Sequence, residues 1–305
     1  VGKSPYGVAV NATTNTIYVA NAAANSISVI NGATNAFIAT IPVGLYPYFV
    51  AVNPTTNTIY VANASSNSVS VINGATNTVV ATIAGGSGVN CVAVNPTTDS
   101  VYVTNSNDNT VSLISGVTNT VGATFGVGAN PDGVAVNSTT NTIYVANDGS
   151  NSVSVINGAS NTATATVAVG SSPFNVAVNP TTNTAYTANA GSNTVSVIDP
   201  TSNTVTATIT VGTNPYDVAV NPTTNSVYVV NYADNTVSVI DGATNTVSRT
   251  LGVGANPASV AVNPTTNFVY VANAGSNTVS VINGATNTVT ATITRGGAPI
   301  STRSK

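Results

Sequence analysis

The chain has 305 residues, of which five are basic and eight acidic, for a net charge of −3. No basic cluster is present to neutralise phosphates, which argues against nucleic-acid binding and against a polybasic membrane patch. No apolar run approaches the roughly 18 residues of a membrane-spanning helix.

The seven tyrosines Tyr18, Tyr60, Tyr102, Tyr144, Tyr186, Tyr228 and Tyr270 fall 42 residues apart. Seven units cover 1–294 and leave 295–305 as a tail or linker. In the unit that starts at Val211, alternating runs follow one another at Asp217–Val220, Ser226–Val230, Thr236–Ile240 and Thr246–Leu251. Their Val, Ile, Thr and Tyr suit a pleated surface. The intervening Asn-Pro-Thr-Thr-Asn, Asn-Tyr-Ala-Asp-Asn and Asp-Gly-Ala-Thr-Asn segments are turn chemistry, so consecutive strands are antiparallel neighbours. Four strands in 42 residues make a propeller blade. The predicted fold is all-β: a seven-bladed β-propeller with four antiparallel strands per blade, lettered a to d from the pore outward. Val1 starts at a repeat boundary and Thr288–Thr294 completes blade 7. Closure therefore rests on side-chain packing between blades 1 and 7, or on residues upstream of Val1. A start at Val1 rather than Met is the expectation for a mature or excised segment.

The segment Tyr102-Val103-Thr104-Asn105 reads YVTN, and the other units carry YVAN, YTAN or YVVN there. With VAVNPTTN and VSVINGATNTV, these motifs resemble the YVTN β-propeller repeats of archaeal surface-layer proteins and secreted bacterial proteins. The resemblance spans 1–294. It implies the propeller fold and a secreted or cell-surface setting, which the sparse charge also suggests. The recurring Tyr is read as packing between blades.

The bottom turns are nearly uniform, whereas the top loops vary. In chain order, Tyr6, Tyr48, Phe49, Asn90, Cys91, Asp132, Phe174, Asn175, Tyr216 and Asp217 stand where strand a begins. Asp108, Asp148, Tyr232 and Asp234 stand in the b–c loops. Two readings follow: the aromatics plug the pore and pack over strand a, or they contact a ligand or partner. The binding residues to test are Tyr6, Tyr48, Phe49, Asn90, Asp132, Phe174, Asn175, Tyr216, Asp217 and Tyr232.

Catalysis is poorly provided for. The chain has no His and no Glu, so neither a Ser-His-Asp triad nor an imidazole base is available. Asp132 and Asp217 could act as an acid–base pair only if two blades' separation let them meet. One Cys and scattered Asp make no zinc set, and no metal or cofactor is expected. The oxygen-rich loops 105–109 and 147–151 hold one carboxylate each, which is turn chemistry rather than a calcium cage. Cys91 reads as a small buried hydrophobe. Asn11, Asn63 and Asn137 match the glycosylation sequon, as chance allows in so Asn-rich a chain.

The outermost strands, such as 77–83, 203–211 and 287–294, lack charge and show little edge protection beyond shortness. They invite pairing with another chain. The expected function is a non-enzymatic extracellular or cell-surface scaffold that binds protein partners or copies of itself. The alternative is a glycan- or small-ligand-binding propeller. With eight Asp and no His or Glu, stability is expected to vary little with acid pH.

Overall fold

The computed structural model describes residues 1–294, and the tail expected at 295–305 lies outside the described residues. Blade 1 comprises β1 (Pro5–Asn11), β2 (Thr16–Asn21), β3 (Ser26–Asn31) and β4 (Phe37–Pro42). Blade 2 holds β5 (Pro47–Asn53), β6 (Thr58–Asn63), β7 (Ser68–Asn73) and β8 (Thr78–Ala84), and blade 3 holds β9 (Val89–Asn95), β10 (Ser100–Asn105), β11 (Thr110–Ser115) and β12 (Thr120–Gly126). Blade 4 runs β13 (Pro131–Asn137), β14 (Thr142–Asn147), β15 (Ser152–Asn157) and β16 (Thr162–Ala168), and blade 5 runs β17 (Pro173–Asn179), β18 (Thr184–Asn189), β19 (Thr194–Asp199) and β20 (Thr204–Thr210). Blades 6 and 7 complete the ring with β21 (Pro215–Asn221), β22 (Ser226–Asn231), β23 (Thr236–Asp241), β24 (Thr246–Gly252), β25 (Pro257–Asn263), β26 (Phe268–Asn273), β27 (Thr278–Asn283) and β28 (Thr288–Ile293). Each of the seven sheets pairs its four strands in chain order, antiparallel throughout.

The strands extend beyond the sequence expectation. In blade 6, β21 begins at Pro215 rather than Asp217, because Pro215 pairs with Asn231 across an irregularity. A first strand position tolerates the missing N–H of proline. Turns close on Asn in the left-handed region, as at Asn15, Asn25 and Asn35 with φ of 51°, 51° and 57°. Asn accepts that conformation more readily than most residues.

Blades pack face to face. Tyr18, Ala20 and Ile27 of blade 1 share a buried cluster with Val50, Ile59, Val61 and Ile72 of blade 2. All seven recurring tyrosines are buried in this way. Two girdles of asparagine stitch the seams. On the bottom face, Asn11 Nδ2 donates to Asn57 Oδ1 of the next blade, and the bond recurs at every seam over 2.6–2.9 Å, with Asp99 the acceptor in blade 3. On the top face, the Tyr46 amide donates to Asn25 Oδ1 at 2.8 Å, again with a counterpart at all seven seams.

Among the described residues no strand is exchanged to close the ring. The blade 7–blade 1 seam buries Val1, Val8, Ile17 and Val19 against Tyr270, Val279 and Ile293. Both girdles cross it, through Asn263 to Asn15 at 2.9 Å and Ser4 to Asn277 at 2.8 Å. The Val1 amine donates to the Thr294 carbonyl at 3.0 Å.

The outer strands are better guarded than their sequence suggests. Each carries a bulge, at Ile38, Val80, Gly122, Thr164, Thr206, Ser248 and Thr290. A bulge twists an edge away from flat pairing. In blades 4 to 7 the bulged hydroxyl bonds a strand-c carbonyl, as Ser248 Oγ does to Val239 O at 3.0 Å. Blades 1 and 2 place apolar Ile38 and Val80 there instead.

Candidate functional site

Seven innermost strands begin side by side on the top face. The second residue of each is Tyr6, Tyr48, Asn90, Asp132, Phe174, Tyr216 or Ala258, and all but Ala258 have side chains in contact at the pore mouth. The Tyr48 and Tyr216 hydroxyls share a hydrogen bond across the ring, from blade 2 to blade 6. Phe174 stacks on Tyr216 with centroids 3.7 Å apart, and Tyr6 lies 4.9 Å from Tyr48. Tyr232, from the b–c loop of blade 6, stands 5.2 Å from Tyr216. Asn90 Nδ2 donates to Asp132 Oδ1. The aromatics thus plug the pore, as one sequence reading held, and they also shape a hollow. It measures about 420 Å³ and is walled by Tyr6, Tyr46, Tyr48 and Phe174, with Asn90 and Asp132 among its polar lining.

The next residue along each strand turns inward. Phe49, Cys91, Asn175 and Asp217 are all buried, and none of them is among the residues that line the hollow. Alternation along a strand sends neighbours to opposite faces. Asn175 Nδ2 donates to Asp217 Oδ1 at 2.6 Å, and Asp217 also accepts from the Val218 and Val260 amides at 2.8 and 2.9 Å. Asp217 therefore bridges blades 6 and 7, and Ser259 continues the layer by accepting from the Val8 amide at 3.3 Å. Gly7 belongs to this layer because a Cβ there would lie 2.6 Å from the Tyr48 carbonyl. Asp132 is held by Asn90, whereas Asp217 is held by Asn175 and the Val218 and Val260 amides, so the two carboxyls have separate partners.

Burial shapes the electrostatics. It raises the Asp132 carboxyl to about 7, with nearby Asp148 adding to the shift. Burial also raises Asp217 to about 6 against its four hydrogen-bond donors. The sequence expectation of weak acid dependence is thereby corrected: two carboxyls take up protons well above the usual carboxylate range. Burial carries Tyr6 and Tyr48 far above the usual phenol value and Tyr216 to about 12. The Cys91 thiol is pushed up to about 12, also by burial.

The remaining loop residues act in turns. Asp108 Oδ2 accepts from the Ser87 amide at 2.7 Å, Asp234 Oδ2 from the Thr213 amide at 2.6 Å, and Asp148 Oδ2 from Asn130 Nδ2 at 3.0 Å. Among the described residues, no three acidic or Cys side chains group as metal ligands. The sequon residues Asn11, Asn63 and Asn137 are fully buried, so the folded chain does not present them for modification.

Sequence reasoning missed Tyr46. It sits with φ 54° where other blades place Asn, Ser or Gly, and that departure from the repeat was its signal. Its ring lies 6.2 Å from both Tyr6 and Tyr48.

A family profile described as a YNCE-like beta-propeller matches residues 128–226 and 217–303. No curated protein matches the sequence. Among solved structures, one titled Kuenenia stuttgartiensis hydrazine synthase superposes with a TM-score of 0.84 at 20% identity, covering 93% of this chain and 97% of that one. At that identity the likeness shows the fold alone.

Proposed function

The chain belongs to the YNCE-like β-propeller family, and on that footing we propose that it is a non-catalytic recognition module of a secreted or cell-surface protein, holding a protein partner at the mouth of its pore. One observation carries this reading. Five departures from the repeat, Tyr6, Tyr46, Tyr48, Asp132 and Phe174, line one hollow of about 420 Å³ on the top face, while the bottom turns stay nearly uniform. Aromatic anchors with a few convergent polar groups are what recognition sites use. With neither His nor Glu in the chain, no catalytic role is assigned.

The test is ligand-observed NMR with fragments spanning amines, alcohols, acids and methyl glycosides. Fragments that bind the wild type and are released by Tyr46→Asn with Tyr6→Ala support the mouth as a recognition site. A protein to which no fragment binds, or whose binders ignore both substitutions, refutes it.

A second reading, self-association, is favoured by the outer edges of blades 1 and 2. There Phe37, Ile38 and Val80 are 47%, 48% and 58% exposed, and the bulge hydroxyl of blades 4 to 7 is missing. Sedimentation velocity checks it: oligomers should dissociate in Ile38→Lys with Val80→Lys, and a monomeric wild type at high concentration refutes it.

A further inference from the structure

We propose that the hollow at the pore mouth takes an alkylammonium group, the chemistry shared by a lysine side chain of a partner protein and a free aliphatic amine. This rests on the reading of the mouth as a recognition site, and it specifies what is recognised.

Three features of the lining agree. The first is charge. Asp132 carries the only formal charge among the residues lining the hollow. It is held by the Asn90 amide, and the neighbour that acts on it most is a second acid, Asp148. Asp132 is 8% exposed, and a buried carboxylate is stable only when paired. A cation supplies that partner; an anion would add repulsion.

The second is an unmet acceptor. Asn90 Oδ1 is buried without a hydrogen-bond donor. The other unpartnered oxygens of this kind belong to asparagines that recur at two framework places of the repeat, whereas Asn90 stands outside both. A buried acceptor left unpaired carries a desolvation penalty. An ammonium has three N–H donors and no acceptor, so it could serve Asp132 and Asn90 Oδ1 together. A hydroxyl could donate to one of them but would leave the carboxylate charge unbalanced.

The third is the wall. Tyr6, Tyr46, Tyr48 and Phe174 surround the hollow. Aromatic faces attract cations, and their apolar surface suits an alkyl stem. Lysine and simple amines combine that stem with that head.

Isothermal titration calorimetry at pH 8 tests the assignment with n-pentylamine, n-pentanol, methyl β-glucoside, spermidine and the blocked peptide Gly-Lys-Gly as probes. We expect n-pentylamine to bind at least tenfold more tightly than n-pentanol. Asp132→Asn should weaken the amine by tenfold or more. Tyr46→Asn should weaken it several-fold; because Asn130, Asn214 and Asn256 hold the same turn in other blades, this variant keeps the fold if the first does not. Circular dichroism and a cooperative melt confirm folding of each variant. Peptide binding at least as tight as n-pentylamine points to a partner's lysine, whereas tighter spermidine binding with exclusion of the peptide points to free amines.

Equal binding of n-pentanol or the glucoside, or indifference of the amine to Asp132→Asn, overturns the ammonium assignment and leaves the mouth as a recognition site. If no probe of any class binds, both readings fall.

Discussion

Acidification from pH 8 to pH 5 should stabilise this protein, the reverse of the usual behaviour of carboxylates. Asp132 and Asp217 have folded-state values of about 7 and about 6, above the ordinary aspartate value of about 3.9 that the unfolded chain restores. Between these limits the folded state binds protons that the unfolded state does not. The slope of unfolding free energy against pH is then negative, so stability is fully present below about pH 4 and is lost as pH rises through 6 and 7. Integrating both groups gives about 4 kcal/mol more stability at pH 5 than at pH 8, in order of magnitude. Unfolding entropy of about 2.1 cal/mol/K per residue converts this to a Tm rise of about 6 °C for a chain of 305 residues. No His and no Glu titrate within this window, and the Val1 amine, bonded to the Thr294 carbonyl, titrates only at its upper end. Scanning calorimetry on the wild type and Asp132→Asn provides the measurement. Asp132→Asn should melt several degrees above the wild type at pH 8, by a smaller margin at pH 5, and match it only below about pH 4. A wild-type Tm that is flat or falls on acidification would refute the argument that burial, rather than the Asn90 and Asn175 amides, sets these two carboxyls.

Three further outcomes follow from the same contacts. Asn179→Ala removes the bond to Asn225 at 2.7 Å and the acceptor for the Thr181 amide at 3.0 Å, so urea denaturation should show a loss of about 2–4 kcal/mol. Tyr228→Ala empties a fully buried site and should lose about 3–5 kcal/mol, whereas Tyr228→Phe, which keeps the ring and forfeits the hydroxyl's contacts to Asn287 at 3.4 Å and to Ser226, should lose about 1–2 kcal/mol by the same assay. Cys91, buried and with its thiol pushed up to about 12, should resist a thiol reagent at pH 8 until denaturant is added; rapid labelling of the native protein would contradict its placement.

The 42-residue spacing of the tyrosines was enough to reveal blade number and strand order, because a repeat that cannot bury its own faces must bury them against its neighbours, but it left two ways of closing the ring open. The girdles were not legible. Their bonds join residues 46 apart, as Asn11 to Asn57, or 21 apart, as Asn25 to Tyr46, and neither separation is the repeat length that a reader would search. Within the mouth, the sequence grouped two adjacent positions that the strand separates. Tyr48 and Asp132 reach the hollow, while Phe49 and Asp217 turn beneath it. Tyr46 was visible as an aromatic among Asn, Ser and Gly, but its left-handed backbone gave no hint that its ring would wall the hollow. The edge bulges were hidden because nothing in an alternating Thr-Val run marks the residue that steps out of register.

The seam between blades 1 and 7 bears directly on what holds the ring. At the other six seams the chain itself crosses from one blade to the next, yet this seam has the same two girdles and the same buried tyrosine packing. If those contacts carry the closure, the location of the chain break should hardly matter. The Val1 amine lies 3.0 Å from the Thr294 carbonyl, where a peptide link between the same repeat places would run. A permuted chain that joins Thr294 directly to Val1 and opens between Gly126 and Val127, the corresponding places in blade 3, should therefore fold to the same ring. Its Tm should stay within about 3 °C of the parent, because moving one flexible link changes loop-closure entropy only slightly. A permutant that melts far below the parent, or in two steps, would mean that covalent continuity between blades 3 and 4 supplies what the girdles were credited with.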